Sequence, residues 1–216
     1  IPPDQFIPLA EQTGLIIPLT RQLIMDVTNQ FAMSYKPENP FYISFNISAR
    51  HLQSSMLEND LDYFLSRVDS NIRLVLEITE REIIASDDNV RRNIEHLKAR
   101  GVRFALDDFG TGYSTLETLQ RTSVELIKID KLFTAGIGSN DLCQAIIANI
   151  VDLAKRIGAD IIAEGVETES QVAFLRQLGD MAWQGYLFSK PLPVEDFKKW
   201  LSVAGIKPDH TPLKRG

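Results

Sequence analysis

The chain has 216 residues, 44% of them hydrophobic and 24% charged, with a formal net charge of −6. That length fits one large domain, and a chain of this size buries roughly 70% of its unfolded surface. The acidic balance argues against broad nucleic-acid binding, which needs a basic footprint, and no apolar run approaches the ~18 residues of a membrane-spanning helix.

The chain opens on Ile1-Pro2-Pro3-Asp4, which has neither the basic region nor the cleavage site of a signal peptide. It reads as cut from a longer sequence. Helical patterns cover Pro3–Glu11 and Ile17–Ser34, and the first strand candidate is Tyr42–Asn46. Helix Met56–Ser66, strand Arg73–Ile78, helix Asn89–Ala99 and strand Arg103–Asp107 follow. Then come helix Ser114–Arg121, strand Glu125–Ile129 and helix Asp141–Ile157, the last with apolar residues at helical spacing. Its lone cysteine, Cys143, allows no intrachain disulfide, fits a reducing compartment and reads as buried filler. Strand Asp160–Ala163 precedes helix Glu169–Leu178, for which Thr168 and Gln171 supply a start signal. A weaker strand, Ala182–Leu187, and helix Val194–Val203 end the folded part; residues 1–205 read as one domain and 206–216 as a flexible tail.

Strands alternating with helices predict a parallel sheet covered by helices. No glycine-rich turn follows the first strand, so a dinucleotide-binding open sheet is disfavoured. The alternative is an α/β TIM-like (β/α)8 barrel. Only six strand candidates are present where eight are needed, so the N-terminal strand or strands are expected to lie outside this sequence.

Each strand turns polar at its C-terminal end: Asn46, Glu77, Asp107-Asp108, Lys128 with Asp130, Glu164 and Gln184. In barrels that rim carries the functional side chains. Taken singly, such residues are often helix caps or loop hydrogen-bonders, and Asp130 fits a cap as well as a ligand. Their carboxylates and amides jointly form an oxygen-only donor set without histidine or cysteine, which suits hard cations such as Mg²⁺ or Mn²⁺. Two such ions ~3.5–4 Å apart can clamp a phosphoryl group and activate water. Lys128, among carboxylates, is expected to keep its proton and to orient that water or offset charge in the transition state. Phe109, Gly110, Thr111, Gly112, Tyr113 and Ser114 form a candidate gating or partner-contact loop after the aspartates. Glu80 and Glu167, each three residues past a site glutamate, are candidates for anchoring that loop or supporting the ligands.

These segments resemble the EAL family of cyclic di-GMP phosphodiesterases. The match runs from Phe6-Ile7-Pro8-Leu9-Ala10-Glu11 through Phe45-Asn46-Ile47-Ser48, Glu77-Ile78-Thr79-Glu80 and Asp107-Asp108-Phe109-Gly110-Thr111-Gly112-Tyr113-Ser114. It continues through Ile127-Lys128-Ile129-Asp130, Ala163-Glu164-Gly165-Val166-Glu167 and Gln184-Gly185-Tyr186 to Ser189-Lys190-Pro191. The resemblance implies a two-metal Mg²⁺ or Mn²⁺ site that hydrolyses cyclic di-GMP to linear pGpG. It implies Asn46, Glu77 and Asp107 as ligands of the first metal, with Asp107 bridging and Asp108 and Glu164 beside the second. Lys128, Gln184 and Glu164 are implied around the nucleophilic water, Glu80 as anchor of the loop after Asp107-Asp108, and that loop as a homodimer contact. A cytoplasmic domain follows, whose parent can be anchored in the bacterial inner membrane.

The Glu-Ala-Leu motif that names the family is not in this sequence, so weak activity of this stretch alone is expected. Two other readings stand beside the enzyme. One is a degenerate relative that binds cyclic di-GMP or a protein without turnover; such relatives usually lose the aspartates or the lysine, which are kept here. The other is a barrel lyase with Lys128 as a Schiff-base lysine, which the surrounding carboxylates oppose.

Overall fold

The computed structural model describes residues 1–32, 35–37, 40–79, 88–110 and 124–203. The expected helix Ser114–Arg121, the loop residues Thr111 to Ser114, Glu80 and the tail 206–216 lie outside them. The chain divides into two compact units, Ile1–Phe104 and Ala105–Gly216.

In the first unit, α1 (Pro3–Thr13) starts on proline, whose missing N–H is no loss in a first turn, and ends at Gly14 in the left-handed region. On α2 (Ile16–Phe31) the residues Ile16, Thr20, Ile24, Thr28 and Phe31 form one buried stripe at three- to four-residue spacing. Strand β1 (Phe41–Asn46) is followed by a short α3 (Ala49–Leu52), α4 (Met56–Leu65), strand β2 (Ile72–Thr79) and α5 (Asp88–Ala99). The two strands pair in parallel, with Asn46 opposite Glu77 at their C-terminal ends. β2 is buried along almost its whole length, as expected of a parallel strand with both faces covered.

Between α2, α3 and α4 lies a polar cluster that hydrophobic patterning does not show. His51 on α3 is fully buried, and Asp60 on α4 sits 3.5 Å from its Nε2 and 3.2 Å from Arg21 Nε on α2. Burial holds the His51 imidazole below the ordinary histidine range, against the upward pull of Asp60.

Strand β3 (Arg103–Phe109) leads into the second unit, which continues with β4 (Leu126–Ile129), α6 (Lys131–Ala135), α7 (Asp141–Ile157), β5 (Asp160–Ala163), α8 (Glu169–Leu178), β6 (Ala182–Trp183) and α9 (Val194–Val203). β3, β4, β5 and β6 pair in parallel and in chain order. Asn140 caps α7 through the N–H groups of Leu142 and Cys143, and Gly158 ends it in the left-handed region. Thr168 and Gln171 make the full reciprocal capping box of α8.

Parallel strands paired with their successors, with helices between them, place the chain in the α/β class of the TIM-like barrel kind. Six of the eight strands of a closed barrel fall among the described residues. Three expectations are corrected. The last strand is only Ala182–Trp183, not Ala182–Leu187, because the chain turns at Gly185, whose carbonyl accepts the N–H groups of Phe188 and Ser189. Two short helices, α3 and α6, were not expected; each is set by a single capping side chain, Ser48 or Asp130, and is too short to show a period. Cys143 is half-buried rather than buried. Among the described residues no helix is long and apolar enough to cross a membrane.

Candidate active site

The chemistry of the second unit gathers where β3, β4 and β5 end. β3 and β4 run in register to the Leu106–Ile127 pair, then shift, so that Phe109 pairs with Ile129. The irregularity falls on Asp107 and Asp108. A bulge re-aims the side chains it contains. Asp108 takes φ +56°, a left-handed conformation that aspartate tolerates better than most residues, and its N–H donates to Asp107 Oδ1 at 3.1 Å.

Lys128 sits in the middle of β4, which is buried at every position. Its Nζ lies 3.0 Å from Asp107 Oδ1 and 2.7 Å from Glu164 Oε1, and the lysine is only 4% exposed. A nearly buried ammonium is tolerable only when paired, and here two carboxylates from the neighbouring strand ends share it. Asp130, two residues on, accepts the Leu132 N–H at 2.7 Å and so starts α6. Its carboxyl also reaches Asp108. Burial first, then the charges of Asp107 and Asp130, push the Asp108 carboxyl above the ordinary aspartate range, while Lys128 pulls it down.

Glu164 follows β5. Its N–H donates to the Ile129 carbonyl at 3.0 Å, and the chain then reverses at Gly165, which has φ +64° and packs its α-carbon against Lys131 with no room for a Cβ. The Val166 N–H donates to the Gln184 carbonyl, and the Gln184 N–H to the Ala163 carbonyl. Gly185 lies directly on the Val166 backbone, where any side chain would collide. This stitching fixes the backbone of Gln184 beside that of Glu164. Both line a cavity of about 720 Å³ with Glu167, Tyr186, Lys190 and Trp200. The Gln184 and Glu167 side chains are exposed there.

The structure therefore brings together Asp107, Lys128 and Glu164 by direct contact, and Asp108 and Asp130 by charge. In the first unit Asn46 is exposed, while Glu77 is buried opposite it. Phe109 is buried and Gly110 takes a left-handed conformation against Phe133 and Ile150. Sequence reasoning missed the buried polar groups under Glu164, Thr134 and the reach of Gln171; a threonine in a short apolar helix carries no signal by itself. Among the described residues no group of three or more His, Cys, Asp or Glu side chains stands close enough to hold a metal ion. The donors fit a hard divalent cation in kind: mutually repelling carboxylates would be relieved by one.

Residues 1–191 match the EAL domain family. The chain belongs to that family. This EAL chain is 42% identical over 210 residues to the cyclic di-GMP phosphodiesterase PdeL of Escherichia coli, an alignment covering 95% of this chain and 58% of PdeL. It thus spans a little over half of that relative. Its fold superposes on the PaMucR phosphodiesterase in complex with cyclic di-GMP with a TM-score of 0.79 and 36% identity, covering 91% of this chain and 87% of that one. Klebsiella pneumoniae BlrP1, solved with manganese and cyclic di-GMP, superposes with a TM-score of 0.61 and 33% identity over 68% of this chain and 38% of its own.

Proposed function

We propose that this EAL chain hydrolyses cyclic di-GMP to linear pGpG with a bound divalent cation, Mg²⁺ or Mn²⁺. The observation that carries the reading is the nearly buried Lys128 ammonium held between Asp107 and Glu164 at adjoining strand ends. An ammonium placed there is aimed at charge that develops during phosphodiester cleavage, in a setting where hydrogen bonds and charges act strongly. Asp107, Asp108 and Glu164 are the proposed metal ligands of the second unit, and Asn46 and Glu77 those of the first. When bound, the metal would supply Lewis-acid stabilisation of the phosphoryl oxygens. Lys128 orients the nucleophilic water and Glu164 accepts its proton. Gln184, whose backbone is stitched to the Glu164 turn, contributes its exposed amide to the same water. Glu80 and Glu167 support the ligands.

Residues 1–205 form the proposed phosphodiesterase domain, working on the cytoplasmic side. Its association with a second copy is proposed through the segment after Asp107-Asp108. The deciding experiment incubates the protein at its full natural length with Mn²⁺ or Mg²⁺ and cyclic di-GMP, and follows pGpG by chromatography. Metal-dependent pGpG formation, abolished by chelator and restored by added metal, is expected. Folded protein that binds cyclic di-GMP without turnover would assign it as a receptor instead.

A further inference from the structure

Helix α6 packs beneath the turn that carries Glu164, and its one buried polar side chain is Thr134, which is fully inaccessible. An isosteric valine would suit that place at no desolvation cost, so the hydroxyl needs a reason. It has one proton and two acceptors in reach: the Lys131 carbonyl of its own helix at 3.1 Å, and the Glu164 carbonyl, which is nearer. The nearer contact joins α6 to the site turn. A second buried side chain backs it. Gln171 on α8 donates from Nε2 to the Thr134 carbonyl at 3.0 Å, and its Oε1 accepts the N–H groups of Glu167 at 2.7 Å and Thr168 at 2.9 Å.

Glu164 is thus gripped at both ends of its backbone. Its N–H is held by Ile129, its carbonyl by Thr134, and the following glycine is pressed on Lys131. With both peptide planes held, the Cα–Cβ direction of Glu164 is set, and from there its Oε1 reaches Lys128 Nζ at 2.7 Å.

We infer that Thr134, backed by Gln171, is a positioning residue that aims the Glu164 carboxylate at Lys128. This rests on the reading of Glu164 as part of the catalytic machinery. The role predicts an effect on turnover rather than on substrate capture, because Thr134 is buried beneath the turn and acts only through Glu164.

The test compares Thr134→Val, Thr134→Ser, Glu164→Gln and the Thr134→Val/Glu164→Gln double variant, in the protein at its full natural length with Mn²⁺ and cyclic di-GMP. Thr134→Val is expected to lower kcat about tenfold, as loss of a group that orients a ligand typically does, with KM unchanged. Thr134→Ser keeps the donor and restores kcat. The double variant should be no slower than Glu164→Gln alone, since a residue acting through another adds nothing once that partner is gone. If Thr134→Val does not fold, Thr134→Ala carries the same comparison. Should Glu164→Gln abolish turnover while Thr134→Val retains it within twofold, or should Thr134→Ser fail as badly as Thr134→Val, the positioning role falls and the catalytic reading stands. An unimpaired Glu164→Gln would overturn both.

Discussion

Lys128 shows how one buried charge organises a site. Two carboxylates converge on it from separate strands, so removing it leaves both without their cation in a partly buried place. Lys128→Met is therefore expected to lower kcat by roughly 10²–10³, the usual loss on deleting a preorganised electrostatic group, while a thermal melt still reports a folded protein. His51 makes a different prediction. Its folded pKa lies below the ordinary histidine value, so below about pH 6.5 the unfolded chain binds a proton that the folded chain refuses. Stability contributed by neutral His51 is present above that pH and is lost as pH falls toward the folded pKa. Urea midpoints measured between pH 7.5 and 5.5 should fall accordingly, at no more than about 1.4 kcal/mol per pH unit for one proton. His51→Gln should flatten the slope; an equal slope in both proteins would remove His51 as its source.

The elements around the site are held by particular small residues and caps. Gly185 touches the Val166 backbone, and both segments lead to site residues. Gly185→Ala should cost about 3 kcal/mol, the upper end for overpacking, since backbone rather than a flexible side chain stands in the way. Denaturant unfolding would measure it, and a loss under 0.5 kcal/mol would mean that the turn relaxes freely. Thr168→Ala removes half of a capping box and should cost about 1 kcal/mol by the same assay. That box was legible in the sequence, as were β1, β4 and β5 almost to the residue, because apolar period and capping chemistry are local signals. The bulge at Asp107-Asp108 was not legible, because a register shift depends on the partner strand. Nor were α3 and α6, which are shorter than two helical turns. That Asn46, Glu77, Asp107, Lys128, Glu164 and Gln184 stand at or next to strand ends was legible from the switch from apolar to polar along each strand. Asp130 was legible as a cap but not as a neighbour of Asp108, and the buried Thr134 contact not at all, since both arise only when distant segments meet.

At the scale of the molecule, an acidic protein is proposed to act on an anionic dinucleotide, and charge decides what it ignores. A net charge of −6 disfavours binding to polyphosphate chains, which rests on neutralising phosphates with basic side chains. Duplex DNA in roughly 100-fold excess is expected to leave cyclic di-GMP hydrolysis unchanged at moderate salt; strong competition would point to a basic patch and to a different substrate class. The order of strand pairing has a further consequence for how the chain is made. Among the described strands β1 pairs with β2, and β3, β4 and β5 each pair with the strand that follows them in the chain. Both strands of the β1–β2 pair lie in the first unit and so are made before any residue of the second. Parallel pairing must first close a loop that holds helical structure, as from Phe41 to Ile72, so the sheet is expected to form more slowly than the helices beside it.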